Sequence, residues 1–362
     1  MLRIILINIL LALTFALQGQ IIQTTQFVKG SISDGEKMLG AYLLPLERSF
    51  NVIGGSGLVQ FHQNNRQRKV NYSFGLQFVG AIAPESDKQF DVNELDLSEF
   101  EPNDATKTST PTFAGNGDII QLGTRASYKT PTSTFPFYAS KPILTLDSPE
   151  GMGSSLLTLA NLTASICSKS WQLTVRAMPP IKVPNADGRI YSAGAAIQTE
   201  INTLFDALQK FPVGITFLTG LQYTKLSLDP GLAPDPSKTE ISLQADNGPY
   251  DNQKFNVISR AIPFELYFNK QVKSFLIYAG AGFIIAKTTT ELKGNIPLYQ
   301  TDPTNTFQII IEDFEDPISY SRQSNSSQLN IGFKYFYKSF GINTGFYFSK
   351  YQSFYLGFDV AI

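Results

Sequence analysis

The chain ends SFYLGFDVAI, residues 353–362, and these ten residues alternate without a fault. Phe354, Leu356, Phe358, Val360 and Ile362 are large and apolar, whereas Ser353, Tyr355, Gly357, Asp359 and Ala361 are small, polar or amphipathic. A strand sends successive side chains to opposite faces, so this one separates an apolar medium from a polar one. The pattern recurs through most of the chain. In LNIGFKYFY, Leu329, Ile331, Phe333, Tyr335 and Tyr337 share one face, and only Lys338 and Ser339 separate that segment from the alternating FGINTGFYF. VNYSFGLQF at 70–78 and the segment 213–225 repeat it, and further strands are expected near 118–128, 136–146, 154–167, 170–178, 189–198, 254–268 and 274–287.

The polar faces of these strands hold Gly, Ser, Thr, Asn and Gln rather than dense surface charge, which suits a wet barrel interior better than the outside of a soluble sheet. Beyond the first twenty residues no uninterrupted apolar run reaches the roughly 18 needed for a transmembrane helix. If the protein spans a membrane it must therefore do so as a barrel, which leaves no backbone group unpaired in lipid. The expected fold is all-β, an antiparallel transmembrane β-barrel of about 12–14 strands. Twelve segments follow residue 68, and 50–62, with its GGSG, reads as a flexible lead-in. Counting back from the last strand puts 82–117, 147–153, 179–188, 228–253 and 288–325 on one side and short links near 63–68, 129–135, 168–169, 269–273 and 338–339 on the other. Long loops outside and short periplasmic turns are the asymmetry of outer-membrane barrels. The exception is TEINTLFDALQKFP at 199–212, where Ile201, Leu204, Phe205 and Leu208 at helical spacing predict a short amphipathic helix at the periplasmic mouth.

The opening MLRIILINILLALTFALQGQ has Arg3, an apolar stretch from Ile4 to Leu17 and a polar end, the layout of a signal peptide with cleavage near Gly19. Residues 1–19 are thus read as a leader, 20–62 as an N-terminal helix and lead-in, and 63–362 as the barrel. Within 20–62, Ser33 and Glu36 fit a capping box, and Met38, Leu39, Tyr42, Leu43 and Leu46 form an apolar stripe. One amphipathic helix in front of a barrel is a candidate plug or periplasmic cap.

Chemistry has few residues to stand on. With 29 Lys and Arg against 30 Asp and Glu, there is no basic footprint for nucleic acid. One cysteine and one histidine exclude an intramolecular disulfide, a thiolate metal cluster and a multi-histidine site. Gly54-Gly55-Ser56-Gly57-Leu58 lacks the last glycine of a nucleophile elbow, and Gly280 and Gly282 do not complete a dinucleotide fingerprint. No enzymatic activity, catalytic residue, cofactor or metal is expected. The carboxylates of 82–117 (Glu85, Asp87, Asp91, Glu94, Asp96, Glu99, Glu101 and Asp104) match no EF-hand spacing and read as a solvated outer loop. Five charges have the parity of the lumen: Arg125, Arg176, Glu265, Lys334 and Asp359. They could line a water path, hold a solute headgroup, or pair with one another. On this reading Asp359→Asn is tolerated and Phe358→Arg is not.

EKMLGAYLLPLERSF, the acidic APESDKQFDV and GAAIQTEINTLFDALQKFPVGITFLTGLQYTKL resemble an uncharacterised family of outer-membrane β-barrel proteins of Bacteroidetes. The resemblance spans most of the mature chain and rests on structural motifs. It implies an outer-membrane location in a Gram-negative bacterium, with membrane lipid and the barrel-assembly machinery as partners, and brings no substrate. A helix in front of a barrel of this size also looks like the hatch of FadL-type transporters. The leading expectation is a channel or transporter for a small or amphipathic solute. The rival is a non-conducting scaffold or surface-attachment protein acting through its outer loops, and a soluble secreted β-sandwich comes third.

Overall fold

The computed structural model describes residues 25–62, 70–131, 138–168, 170–182, 187–234, 243–244, 249–304 and 309–362. The leader expected over 1–19 lies outside them. Ten strands form one closed antiparallel barrel: β1 Val70–Ile82, β2 Leu156–Ser168, β3 Trp171–Lys182, β4 Gly188–Glu200, β5 Gly214–Leu228, β6 Lys254–Val272, β7 Phe275–Lys293, β8 Ile318–Tyr337, β9 Phe340–Phe348 and β10 Gln352–Ala361. Each strand pairs with its neighbours in sequence, and β10 closes on β1 with Ser73 opposite Ala361 and Ile82 opposite Gln352.

The count is ten rather than 12–14, and the two surplus segments can be named. Those expected near 118–128 and 136–146 form small sheets outside the barrel: Phe100–Pro102 with Gln121–Thr124 and Thr145–Asp147, and Ser127–Pro131 with Tyr138–Pro142. Their alternation is real, but it serves a local apolar core. The whole of 83–155 is consequently one connection on one side of the barrel. The β3–β4, β5–β6, β7–β8 and β9–β10 connections start and end on that side, while the β2–β3, β4–β5, β6–β7 and β8–β9 connections start and end on the opposite side.

Parity within the barrel follows the alternation. Along β3, Gln172, Thr174 and Arg176 are buried while Leu173 and Val175 are exposed. Along β10, Ser353, Tyr355 and Asp359 are buried while Leu356, Phe358 and Val360 are exposed. The outer surface nearer the short connections is therefore an apolar band, whereas towards the long connections β8 turns Ser319, Ser321, Gln323, Asn325 and Ser327 outward. On β7 the band runs from Phe275 through Ile277, Ala279, Ala281 and Phe283 to Ile285 before Lys287 interrupts it. Ten residue steps at about 3.3 Å give roughly 33 Å of strand, which at a tilt of about 40° projects to roughly 25 Å, the height of an outer-membrane barrel's apolar band.

Ahead of the barrel the chain makes a 3-10 turn, Gln26–Lys29, and two helices, α1 Ile32–Tyr42 and α2 Leu44–Gly55. The single helix expected from the apolar stripe is broken at Leu43. Pro45 lacks an N–H and is accepted only in a first helical turn, so a new helix starts there. The cap also differs: Ser31, not Ser33, is the N-cap, and its hydroxyl accepts from the Asp34 amide. Nor is GGSG a flexible link, because Gly54 and Gly55 complete the last turn of α2. The segment 201–213 is no α-helix either. It forms two 3-10 turns, Ile201–Thr203 and Asp206–Leu208, with Leu204, Phe205 and Phe211 exposed. Asn202 holds it in that shape, donating to the Leu208 and Val213 carbonyls.

Candidate functional site

The barrel is not empty. Residues 25–61 run through it from the side of the long connections to the side of the short ones. At the start of this path Phe27 packs edge-on against Phe100, and Lys29 donates to the Ala233 carbonyl. At its end Phe61 packs edge-on against Tyr267 of β6 and at a tilt against Tyr278 of β7. A helix with side chains is about 10 Å across, so a ten-stranded barrel admits one only where the facing residues are small. Gly54 and Gly55 supply that room. A Cβ on Gly54 would stand 2.8 Å from the Ala261 Cβ, and one on Gly55 would stand 2.3 Å from the Ile284 Cδ1.

Buried polar groups fix the helix in the lumen. The last carbonyls of α2 have no partner within the helix, and Arg176 of β3 takes them. Its guanidinium donates to the Ser56 carbonyl at 2.7 Å and to the Ile53 and Gly54 carbonyls at 2.9 Å, with Nε donating to Gln222 at 2.8 Å. Halfway along α2, Asn51 Oδ1 accepts from Ser259 and Thr288. Glu47, 1% exposed, accepts from Thr290, Tyr320 and Arg322, the last at 2.6 Å. Beyond the helix Ser56 meets Ser353, the Gly57 amide donates to Tyr347, and Gln77 donates to the Gly57 carbonyl. These partners lie on seven strands from β1 round to β10, so the segment is held from all sides.

Below it a second polar layer joins the barrel walls. Glu265 accepts from Tyr267 and Gln328, Tyr278 meets Tyr355, and Lys334 pairs with Asp359 at 2.7 Å. Of the five charges with lumen parity, Arg176, Glu265, Lys334 and Asp359 face the interior and are buried. Arg125 does not. It follows the strand Gln121–Thr124 outside the barrel, half exposed and 3.6 Å from Glu101, because its alternation belongs to the small sheet. Asp359 is also no free lumen charge, being the counter-ion of a lysine that is 1% exposed.

All five stripe residues of the N-terminal segment are buried, but they serve two cores. Leu39, Tyr42, Leu43 and Leu46 join the barrel interior with Phe50, Ile53 and Val59, whereas Met38 joins Phe27, Val92, Leu97, Phe100, Leu122 and Leu146 above it. The connection 83–155 thus folds over the mouth as a cap with the N-terminal segment as part of its core. Two carboxylates lock the pieces together. Asp34 of α1 accepts from the Ser98, Glu99 and Phe100 amides and the Ser98 hydroxyl. Burial by itself raises its pKa, but these four donors outweigh that and hold the carboxyl below its usual value. Asp87, expected in a solvated loop, instead receives Arg48 from α2 and Lys350 and Tyr351 from the 349–351 turn. Burial again opposes, and the hydrogen bonds from Lys350, Tyr351 and Ser86 with the Arg48 charge leave its pKa lowered. Neither role has a sequence signal, since apart from the neighbouring Ser86 the partners stand 39 to 264 positions away.

The family described as "Family of unknown function (DUF6588)" matches residues 1–362. No curated protein sequence matches the chain. Among solved structures, similarity is found to the outer membrane protease OmpT of Escherichia coli, at 7% identity and a TM-score of 0.30, over 84% of this chain and 99% of that one. The outer membrane transporter YddB of Escherichia coli is similar at 10% identity and a TM-score of 0.29, over 78% of this chain and 39% of the transporter, so the chain spans well under half of that protein. The translocator domain of the autotransporter NalP of Neisseria meningitidis is similar at 8% identity and a TM-score of 0.28, over 82% of this chain and 89% of the domain.

Proposed function

The chain belongs to this family of unknown function, and on that premise we propose that it is an outer-membrane barrel closed at rest by its own N-terminal segment, which meets its surroundings through an ordered outer cap. The observation that carries this reading is the filled lumen. The stretch from Leu39 to Phe61 fills it and shares a continuous apolar core with its walls. The apolar outer band supports membrane insertion, and the unequal connections support a cap on the cell exterior. A surface protein acting through its cap is therefore favoured over an open pore for a solute.

Gated transport stays as a second reading, for one specific reason. Several buried lumen atoms find no hydrogen-bond partner among the described residues, including both amide atoms of Asn330, Gln77 Oε1, Asn343 Oδ1 and His62 Nε2. Such atoms are costly in a dry core and suit a path that hydrates when the segment moves.

Orientation is tested with single cysteines, the native Cys167 being buried. Asp104→Cys in the cap reacts with a membrane-impermeant maleimide on intact cells, and Lys338→Cys in the opposite turn reacts only after lysis. The reverse pattern would overturn the outward cap.

A further inference from the structure

The outer wall carries a groove of about 330 Å³ on the side of the short turns. Its floor is Ala279 of β7, which the strand register sets between Phe268 of β6 and Ile331 of β8. Ala281, the next outward residue, lies between Leu266 and Leu329, so the small floor continues along the strand between bulky walls. Ile277, Val213 and Lys270 complete the rim. The polar end of the groove is basic. Lys270 is exposed, Lys273 occupies the adjoining turn, and Lys338 lies in the next turn, drawn alongside by the Phe336 amide donating to the Ser274 carbonyl. Neither Lys270 nor Lys273 has a carboxylate partner among the described residues. The loop 201–213 beside the groove exposes Leu204, Phe205, Lys210 and Phe211. Its one exposed acid, Asp206, accepts from Gln209.

We propose that this groove is a binding site for an anionic phospholipid of the periplasmic leaflet, with an acyl chain along Ala279 and Ala281 and the phosphate at Lys270 and Lys273. An unpaired cluster of lysines at the head of an apolar furrow matches an amphiphile of negative head charge, and a zwitterionic lipid lacks the net charge that would answer it. The proposal rests on the membrane-embedded reading.

The test uses the full chain in nanodiscs holding equal amounts of phosphatidylglycerol and phosphatidylethanolamine, released into native mass spectrometry. Phosphatidylglycerol is expected to be retained several-fold over phosphatidylethanolamine. Lys270→Gln with Lys273→Gln should remove the preference, and Ala279→Phe should reduce total retained lipid. Equal retention of the two lipids by the unaltered protein, retention unaffected by the variants, or a polypeptide occupying the site in their place would overturn the proposal. Electrophoresis before and after boiling accompanies each sample. A heat-shifting protein without lipid preference fails the lipid site alone, whereas loss of the heat shift in the unaltered protein counts against the embedded barrel itself.

Discussion

At the scale of single residues, the charges decide how firmly the N-terminal segment and the cap are tied. Asp34 and Asp87 both have carboxyls lowered in the folded protein, so they add stability above the unfolded carboxylate value of about 3.9, and that contribution is lost as pH falls through it and below. Protease resistance of the cap should therefore fall progressively as the pH is taken below about 4. Asp34→Asn combined with Asp87→Asn should lower resistance at neutral pH and flatten the acid response, each change removing charged hydrogen bonds of about 1.5–3 kcal/mol. Asp359 is a second case. With Lys334 buried beside it, Asp359→Asn leaves an uncompensated charge and should cost about 3–5 kcal/mol, read as a lower midpoint in thermal unfolding. Phe358→Arg, on the apolar outer band, should cost about 2–4 kcal/mol or less depending on depth. Strand parity was enough to place Arg176, Glu265, Lys334 and Asp359 inside, because alternation fixes the face. It could not show that Asp359 is paired or that Asp87 is clamped, because those facts depend on which strands meet. Arg125 went wrong because a cap strand alternates as a barrel strand does.

The elements show where periodicity is and is not enough. The apolar stretches of the barrel strands were legible from their outward residues, whereas the far ends of β7 and β8, within the expected loop 288–325, were not, because β8 there turns Ser319, Ser321, Gln323, Asn325 and Ser327 outward. The two cap segments showed the same alternation against a small local core, and only the closure of β1 onto β2 across 83–155 excludes them. The break between α1 and α2 follows from Pro45, and the seat of α2 in the lumen follows from small residues on both partners. That fit gives a reciprocal prediction. Gly54→Ala forces a Cβ against Ala261 and should cost about 1–3 kcal/mol by overpacking. Combining it with Ala261→Gly returns the room and should recover much of the loss. Additive effects of the two changes, measured as unfolding midpoints, would mean that the helix does not pack there.

At the scale of the whole molecule, one chain supplies a wall, a filling and a lid. The wall turns an apolar band outward, the filling meets the wall through Arg176, Asn51, Glu47 and a shared apolar core, and the lid is built jointly by 83–155 and the first residues of the filling. An open route through the lumen would require α2 to leave contacts on strands all round the barrel. Deleting residues 33–49 should accordingly loosen the cap and the lumen together, seen as greater uptake of a large antibiotic by cells whose barrel still shifts on heating. The most direct measurement is the conductance of the purified full-length protein in planar lipid bilayers, with the 33–49 deletion as its pair. Silence from the full-length protein and discrete steps from the deletion are the predicted result, and stable conductance steps from the full-length protein would contradict a lumen sealed by its own N-terminal segment.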